Sequence, residues 1–277
     1  MHCFFPYLLY PLPMPIIDAH VHIGSWRTIE ESQHNLLESM NRRQVALGVL
    51  SNADCSSFPG EAGAYATPLS SVEGLRQIIA FARENPGRFA LLVWIKPLLE
   101  PYPSEELLSL VEENRDLIVG LKLHPFCERI SPCDPALEPY YEWAEKEGWP
   151  ILCHTALDFH SSIGELIAAA KAHPRLSFVA AHLELGSTHR YAIEAIRPYP
   201  NIYADTAWVD FENANFALDV LGEDRVLFGT DNPLDGSDTL FNPMYDGYFH
   251  HAYGEEGGRF DALMYQNALS LYRIKTN

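Results

Sequence analysis

The chain has 277 residues, of which 47% are hydrophobic and 20% charged, enough to bury a large core and matching one α/β barrel of roughly 250 residues better than two small domains. Its 37 acidic and 19 basic residues give a formal net charge of −18, which sets the surface against nucleic-acid phosphates and anionic membranes and leaves a small molecule as the expected partner. Cysteines at 3, 55, 127, 133 and 153 are odd in number and lack Cys-x-x-Cys spacing, so neither a disulfide framework nor a thiolate zinc site is expected, and the expected compartment is the reducing cytoplasm.

Residues 1–15 open with a short apolar run, Phe4 to Tyr10, interrupted and followed by prolines 6, 11, 13 and 15. The run lacks a basic flank and a small-residue cleavage site, and it falls far short of the ~20 apolar residues of a membrane helix. It reads as an N-terminal extension, with Met14 as an alternative start, ahead of a domain spanning 16–277.

From Ile16 onward, apolar runs alternate with amphipathic stretches. Strands are expected at 16–24, 45–53, 89–97, 118–125, 150–156, 176–182, 201–207 and 226–231, with helices at 71–84, 104–115, 135–147, 161–170, 188–196 and 211–221. Serine or threonine near several helix starts supplies N-caps. Strict alternation requires parallel strands, and eight such units close most economically as a (β/α)8 TIM barrel. An open doubly wound sheet is the alternative, but no Gly-x-Gly-x-x-Gly or Walker loop follows any strand. Residues 232–258 read as a long loop and 260–272 as a closing helix.

In a barrel of this kind the chemistry sits at the C-terminal ends of the strands. The first strand there carries His20-Val21-His22, whose alternation puts both imidazoles on one face with Cα atoms roughly 7 Å apart, a spacing that suits two ligands of one metal ion. By the same parity Asp18 shares that face one step deeper, to orient a ligand or to fill the lower layer. Later strand ends carry Lys122 and His124, His154, His182, and Asp231. Each has a bland reading as a hydrogen-bonded core histidine, a rigid strand exit before Pro125, or a turn cap, but together they crowd one rim. Trp26, Trp94 and Trp208 fall where rings could wall a pocket, while Arg27 and Lys96 are further cations near the rim. His34, His160, His173, His189, His250 and His251 lack strand-end context and read as surface.

Five segments, Asp18-Ala19-His20-Val21-His22, Gly120-Leu121-Lys122-Leu123-His124-Pro125, the histidines closing strands five and six, Gly229-Thr230-Asp231-Asn232-Pro233 and Asn267-Ala268-Leu269-Ser270-Leu271-Tyr272, resemble in order and spacing the amidohydrolase superfamily. The likeness is to its amidohydrolase-related group of metal-dependent TIM-barrel hydrolases and decarboxylases. The resemblance implies that His20, His22, His154 and Asp231 hold one divalent ion, zinc by default, with manganese or iron compatible with the same donors. It further implies a metal-activated water as nucleophile, Asp231 as general base and then acid, and His182 as the group that stabilises charge on the substrate oxygen. Lys122 and His124 then line the substrate pocket. In some branches a lysine at this place is carboxylated and bridges a second metal; here the unmodified form is preferred. The expected activity is hydrolysis of an ester, lactone or amide in a small molecule. The alternative is a metal-dependent non-oxidative decarboxylase, which would need a cation near the departing carboxylate, and the remaining option is a non-catalytic metal-binding barrel. Self-association into a homo-oligomer is left open.

Overall fold

The computed structural model describes residues 15–26, 28–57, 68–234, 239–252 and 259–275. Residues 1–14 of the expected extension, Arg27, residues 58–67, parts of the loop expected at 232–258, and residues 276–277 lie outside them. Eight parallel strands, β1 (Ile16–Ile23), β2 (Val45–Asn52), β3 (Phe89–Trp94), β4 (Ile118–Leu123), β5 (Ile151–Ala156), β6 (Phe178–Leu185), β7 (Ile202–Asp205) and β8 (Val226–Leu227), pair in sequence order. The sheet is drawn round on itself: the Ala19 amide donates to the Phe228 carbonyl (2.8 Å), the Asp231 amide to His20 (2.8 Å), and the His22 amide to Asn232 (2.9 Å). The result is a (β/α)8 TIM barrel.

The helices around the strands are α1 (Ile29–Arg42), α2 (Ser71–Glu84), α3 (Glu105–Glu113), α4 (Pro125–Glu128), α5 (Glu138–Glu147), α6 (Ile163–Ala172), α7 (Arg190–Ile196), α8 (Phe211–Leu221) and α9 (Asp246–Ala252), and the expected closing helix is a run of helical segments at Arg259–Asp261, Ala262–Gln266 and Asn267–Leu271. Helix α2 matches its expected span because Ser70 and Glu73 form a reciprocal capping box at its start. Helix α1 lies outside the expected helices; its buried face sets Ser32 and Ser39 beside Leu36 and Met40. Helix α9 falls inside the stretch expected to be loop. No helix among the described residues is long and apolar enough to cross a membrane.

Two apolar layers result. Inside the barrel pack Ile17, Ala19, Val49, Ala90, Leu92, Val119, Leu152, Val179, Ala181 and Leu227, closed from below by Ala268 and Tyr272. Val21, Ile23, Leu50, Leu91, Leu121 and Cys153 face outward against the helices. The two sets show that alternation reverses within β1, where the register with β2 shifts between Asp18 and Val21. A bulge of this kind turns successive residues toward one side. His20 and His22 therefore face the barrel mouth while Asp18, expected on the same face, is displaced from it. Asp18 instead accepts from the Thr230 amide (3.1 Å) and hydroxyl and from the His20 amide (3.2 Å), tying β1 to the segment after β8. Burial pushes its carboxyl up to about 8.

Candidate metal and catalytic centre

His20 and His22 enter the mouth of the barrel with their inner ring nitrogens already engaged. His20 Nδ1 donates to Asp205 Oδ2 at the end of β7 (2.7 Å), and His22 Nδ1 hydrogen-bonds Ser51 Oγ on β2 (2.9 Å). Both rings thus present Nε2 outward, at 3.3 Å and 2.9 Å from Asp231 Oδ1. Trp208 Nε1 donates to the second Asp231 oxygen (3.1 Å). The three ligand atoms of His20, His22 and Asp231 lie within 4.8 Å of one another.

Burial pushes both imidazoles below their ordinary range, so the rings are neutral. Burial alone would raise the Asp231 carboxyl; what more than reverses this and holds it well below the usual carboxylate range is positive charge and hydrogen bonding from the facing His20, His22 and His182 rings when they carry a proton, a role a divalent cation takes over. With protons on the inner nitrogens, two ring lone pairs and a carboxylate oxygen converge on one buried point, an arrangement that a divalent cation relieves. The donor set fits such an ion in type and protonation state, and the bonds to Asp205 and Ser51 supply the outer support that ligating histidines need.

A second triple, His20, His182 and Asp205, also brings its ligand atoms within 4.8 Å. Asp205, however, faces the inner nitrogen of His20 at hydrogen-bond distance, which suits orientation of that ring. The approach depends on Gly229: a Cβ there would overlap Asp205 Oδ1 and stand 3.0 Å from His20 Cβ. Burial pushes the Asp205 carboxyl up to about 6.

His154 belongs to neither triple. It stacks on His124, centroids 3.9 Å apart and planes 15° from parallel, and meets the edge of His182 at 4.8 Å. His182 in turn lies 5.1 Å from the His20 ring, so the three expected ligand histidines and His182 share one wall. His182 Nδ1 donates to the Ala207 carbonyl (3.2 Å). The backbone that aims it is unusual, with φ of 68°, 47° and 69° at His182, Leu183 and Glu184. Three successive side-chain-bearing residues in the left-handed region are strained and persist only where surroundings over-determine them. Here Thr155 Oγ1 donates to Ala181 O (2.6 Å) and accepts from Glu184 N (2.8 Å), His189 donates to Leu183 O (3.2 Å), and Glu184 accepts from the Ile163 amide at the start of α6 (3.2 Å). His189, expected on the surface, is therefore buried and part of this support.

Lys122 is 1% exposed, and its Nζ lies 3.0 Å from His20 Nε2, an amine at the edge of the donor cluster. Burial pushes its ammonium below the ordinary lysine range. Lys96 is also buried but spends its ammonium on the Leu69 carbonyl. Trp94 does stand beside the site, 5.8 Å from the His124 ring at 22° and 6.4 Å from His22. Its Nε1 donates to Glu128 (2.9 Å), which also accepts from the Ser57 amide (3.2 Å). Trp26 packs with Ala53, Cys55 and Trp94. Sequence reading overlooked Asp205, Ser51 and Glu128. Asp205 carried a usable signal, an acid at the end of an expected strand like Asp231, whereas Ser51 and Glu128 carried none.

No curated protein matches the chain. Among solved structures it is similar to 2,6-dihydroxybenzoate decarboxylase from Rhizobium, with TM-score 0.66 and 16% identity over 94% of this chain and 99% of that one. It is similar to 5-carboxyvanillate decarboxylase from Novosphingobium aromaticivorans complexed with manganese and 4-hydroxy-3-methoxy-5-nitrobenzoic acid, at TM-score 0.69, 13% identity, and 94% and 96% coverage. A putative amidohydrolase from Staphylococcus aureus gives TM-score 0.68 and 14% identity, over 94% of this chain and the whole of that one. At such identities the likeness establishes the barrel. The amidohydrolase family model, by contrast, matches residues 17–274, nearly the whole chain, and the protein therefore belongs to the amidohydrolase family as a member of its superfamily of enzymes.

Proposed function

We propose that this protein is a metal-dependent non-oxidative decarboxylase of a small hydroxylated aromatic acid, with His20, His22, His154 and Asp231 as the metal ligands. This places the alternative drawn from the sequence ahead of hydrolysis. The observation that carries it is Lys122: its buried amine lies 3.0 Å from His20 Nε2, where in its protonated form it supplies the carboxylate clamp that decarboxylation needs and ester hydrolysis does not. The decarboxylases among the structural neighbours, one of them with manganese bound, lend weight to the same choice and favour manganese over zinc.

A bound divalent ion supplies positive charge that holds the substrate oxygens and stabilises negative charge developing next to them. Lys122 neutralises the substrate carboxylate in a site whose burial strengthens that attraction. Both proton carriers rest as acceptors: Asp231 is ionised, and His182 is neutral with Nδ1–H on Ala207. The proton that ends on carbon therefore arrives with a substrate hydroxyl or from solvent and is held at an Asp231 oxygen. Asp231 delivers it to the carbon bearing the carboxylate. The electron pair of the carbon–carboxylate bond then returns to the ring, and carbon dioxide leaves. His182, at Nε2, orients the adjacent substrate oxygen.

The test is manganese-loaded protein incubated in deuterium oxide with 2,6-dihydroxybenzoate and with 5-carboxyvanillate as probes. Carbon dioxide release with deuterium on the product carbon is expected. Inertness toward both acids, together with oxygen-18 incorporation from labelled water into lactone, ester or amide products, would replace this reading with hydrolysis.

A further inference from the structure

Each candidate ligand but one is oriented by a hydrogen bond. Asp205 holds His20, Ser51 holds His22, and Trp208 holds Asp231. Among the described residues, neither ring nitrogen of His154 has such a partner; what holds its ring is the face of His124 at 3.9 Å and 15° and the edge of His182 at 4.8 Å. We propose that His124 is a positioning residue for His154, fixing its imidazole by face-to-face stacking where the other ligands are fixed by hydrogen bonds. The inference rests on the reading of His154 as a ligand and departs from the expectation that His124 binds substrate.

The His124 ring is well placed to act as a fixed plate. The residue stands at the exit of β4 as the N-cap of α4, with Nδ1 accepting from the Cys127 amide (3.4 Å) and Pro125 following it. A residue ahead of proline has a restricted backbone, and a ring serving as a cap has lost the freedom to turn. Trp94 lies nearly parallel to it at 22°. The indole is itself anchored, through Nε1, on the buried carboxyl of Glu128, which belongs to the same short helix that His124 caps. The helix thus holds both ends of a closed set of contacts, His124 at its cap and Glu128 at its last residue. Offset stacking of flat rings at such separations is attractive and constrains the tilt of a ring more than its rotation in plane. In-plane rotation is what the edge contact with His182 limits.

Stacking requires a flat ring, whereas contact with substrate or metal requires a nitrogen, and this separates the alternatives. Binding of Mn2+ alone is measured by equilibrium dialysis with atomic absorption for wild type, His154→Ala, His124→Phe, His124→Leu and His124→Asn. The Asn variant keeps a side-chain acceptor for the α4 cap while removing the ring, so it serves where the Leu variant fails to fold. His124→Leu and His124→Asn are expected to bind Mn2+ about 10- to 100-fold more weakly, the usual cost of losing a group that orients a ligand. His124→Phe is expected to stay within about threefold of wild type, since the plate is retained. Equal weakening in the Phe and Leu variants, or none in the Leu and Asn variants, overturns the proposal. If His154→Ala leaves the affinity unchanged, the ligand assignment itself fails, and that outcome is distinct from the other two.

Discussion

At the C-terminal rim, Asp205, Asp231, Lys122 and histidines 20, 22, 154 and 182 are all at least nine-tenths buried and touch one another. At the N-terminal rim a cavity of about 790 Å3 opens among Pro15, Ile17, Phe89, Val119, Trp149 and Tyr272, and its charges are arranged differently. Arg83 and Asp116 pair at 2.6 Å and Arg115 and Glu147 at 2.7 Å, with both arginines about half exposed. That cavity lies at one end of the barrel, and the convergent buried donors lie at the other. Exposed pairs such as these are worth little, because water competes for both partners; buried groups that lean on one another have no such substitute. A cavity can thus open at the end away from the convergent buried donors.

That contrast can be broken at several points. Stripping divalent metal with a chelator should abolish turnover, and added Mn2+ should restore it; activity that survives would detach the C-terminal cluster from the reaction. Asp231→Asn keeps a neutral oxygen donor but no proton carrier, so kcat should fall by roughly 10²–10⁴ while most bound metal remains in dialysis. Loss within tenfold would mean that another group moves the proton. Asp205→Asn leaves His20 without an anionic partner, and Mn2+ affinity should weaken by about 10- to 100-fold; an unchanged affinity would reduce Asp205 to packing.

Smaller effects sharpen the comparison through stability. Burial raises the Glu128 carboxyl above 4.5 in the fold, with the Ser57 and Trp94 bonds opposing it. The folded chain then keeps a proton that the unfolded chain releases, so this contribution is complete below the unfolded value and is lost as pH rises through the folded one. Urea midpoints at about pH 5 and about pH 8 should show Glu128→Gln gaining on wild type at the higher value, by a difference set by this linkage. A constant gap would remove the assigned shift. Least of all, Arg83→Ala should change stability by no more than about 0.5 kcal/mol and leave kcat/KM alone. A clear catalytic loss there would make the two ends of the barrel interdependent.

The architecture was legible because repeated apolar runs and helix caps are local properties; all eight strands lie where alternation puts them, within a few residues at each end. The His20 and His22 pair was legible for the same reason, since two residues apart means one face. Asp18 was misread by the same rule, because the bulge between it and Val21 belongs to the pairing of β1 with β2 and leaves no mark in composition. The stack of His124 on His154 joins two strands and could not be seen from either. Asp205 could have been noticed but only as one more acid at a strand end; its bond to His20 spans 185 positions. Helix α1 mixes serines with Leu36 and Met40 on its buried face, although its apolar residues recur at helical spacing.

The empty place at Gly229 has a consequence for mutational tolerance. Because any side chain there would occupy the room taken by the Asp205 carboxyl and press on His20, a residue with no functional group should behave in a saturation scan like a member of the catalytic set. Alanine at 229, conservative by every measure of polarity, would be read as a loss of activity in a protein that still folds. The missing methyl group is in that sense one of the working parts, and a survey that ranks positions by chemistry alone would pass over it.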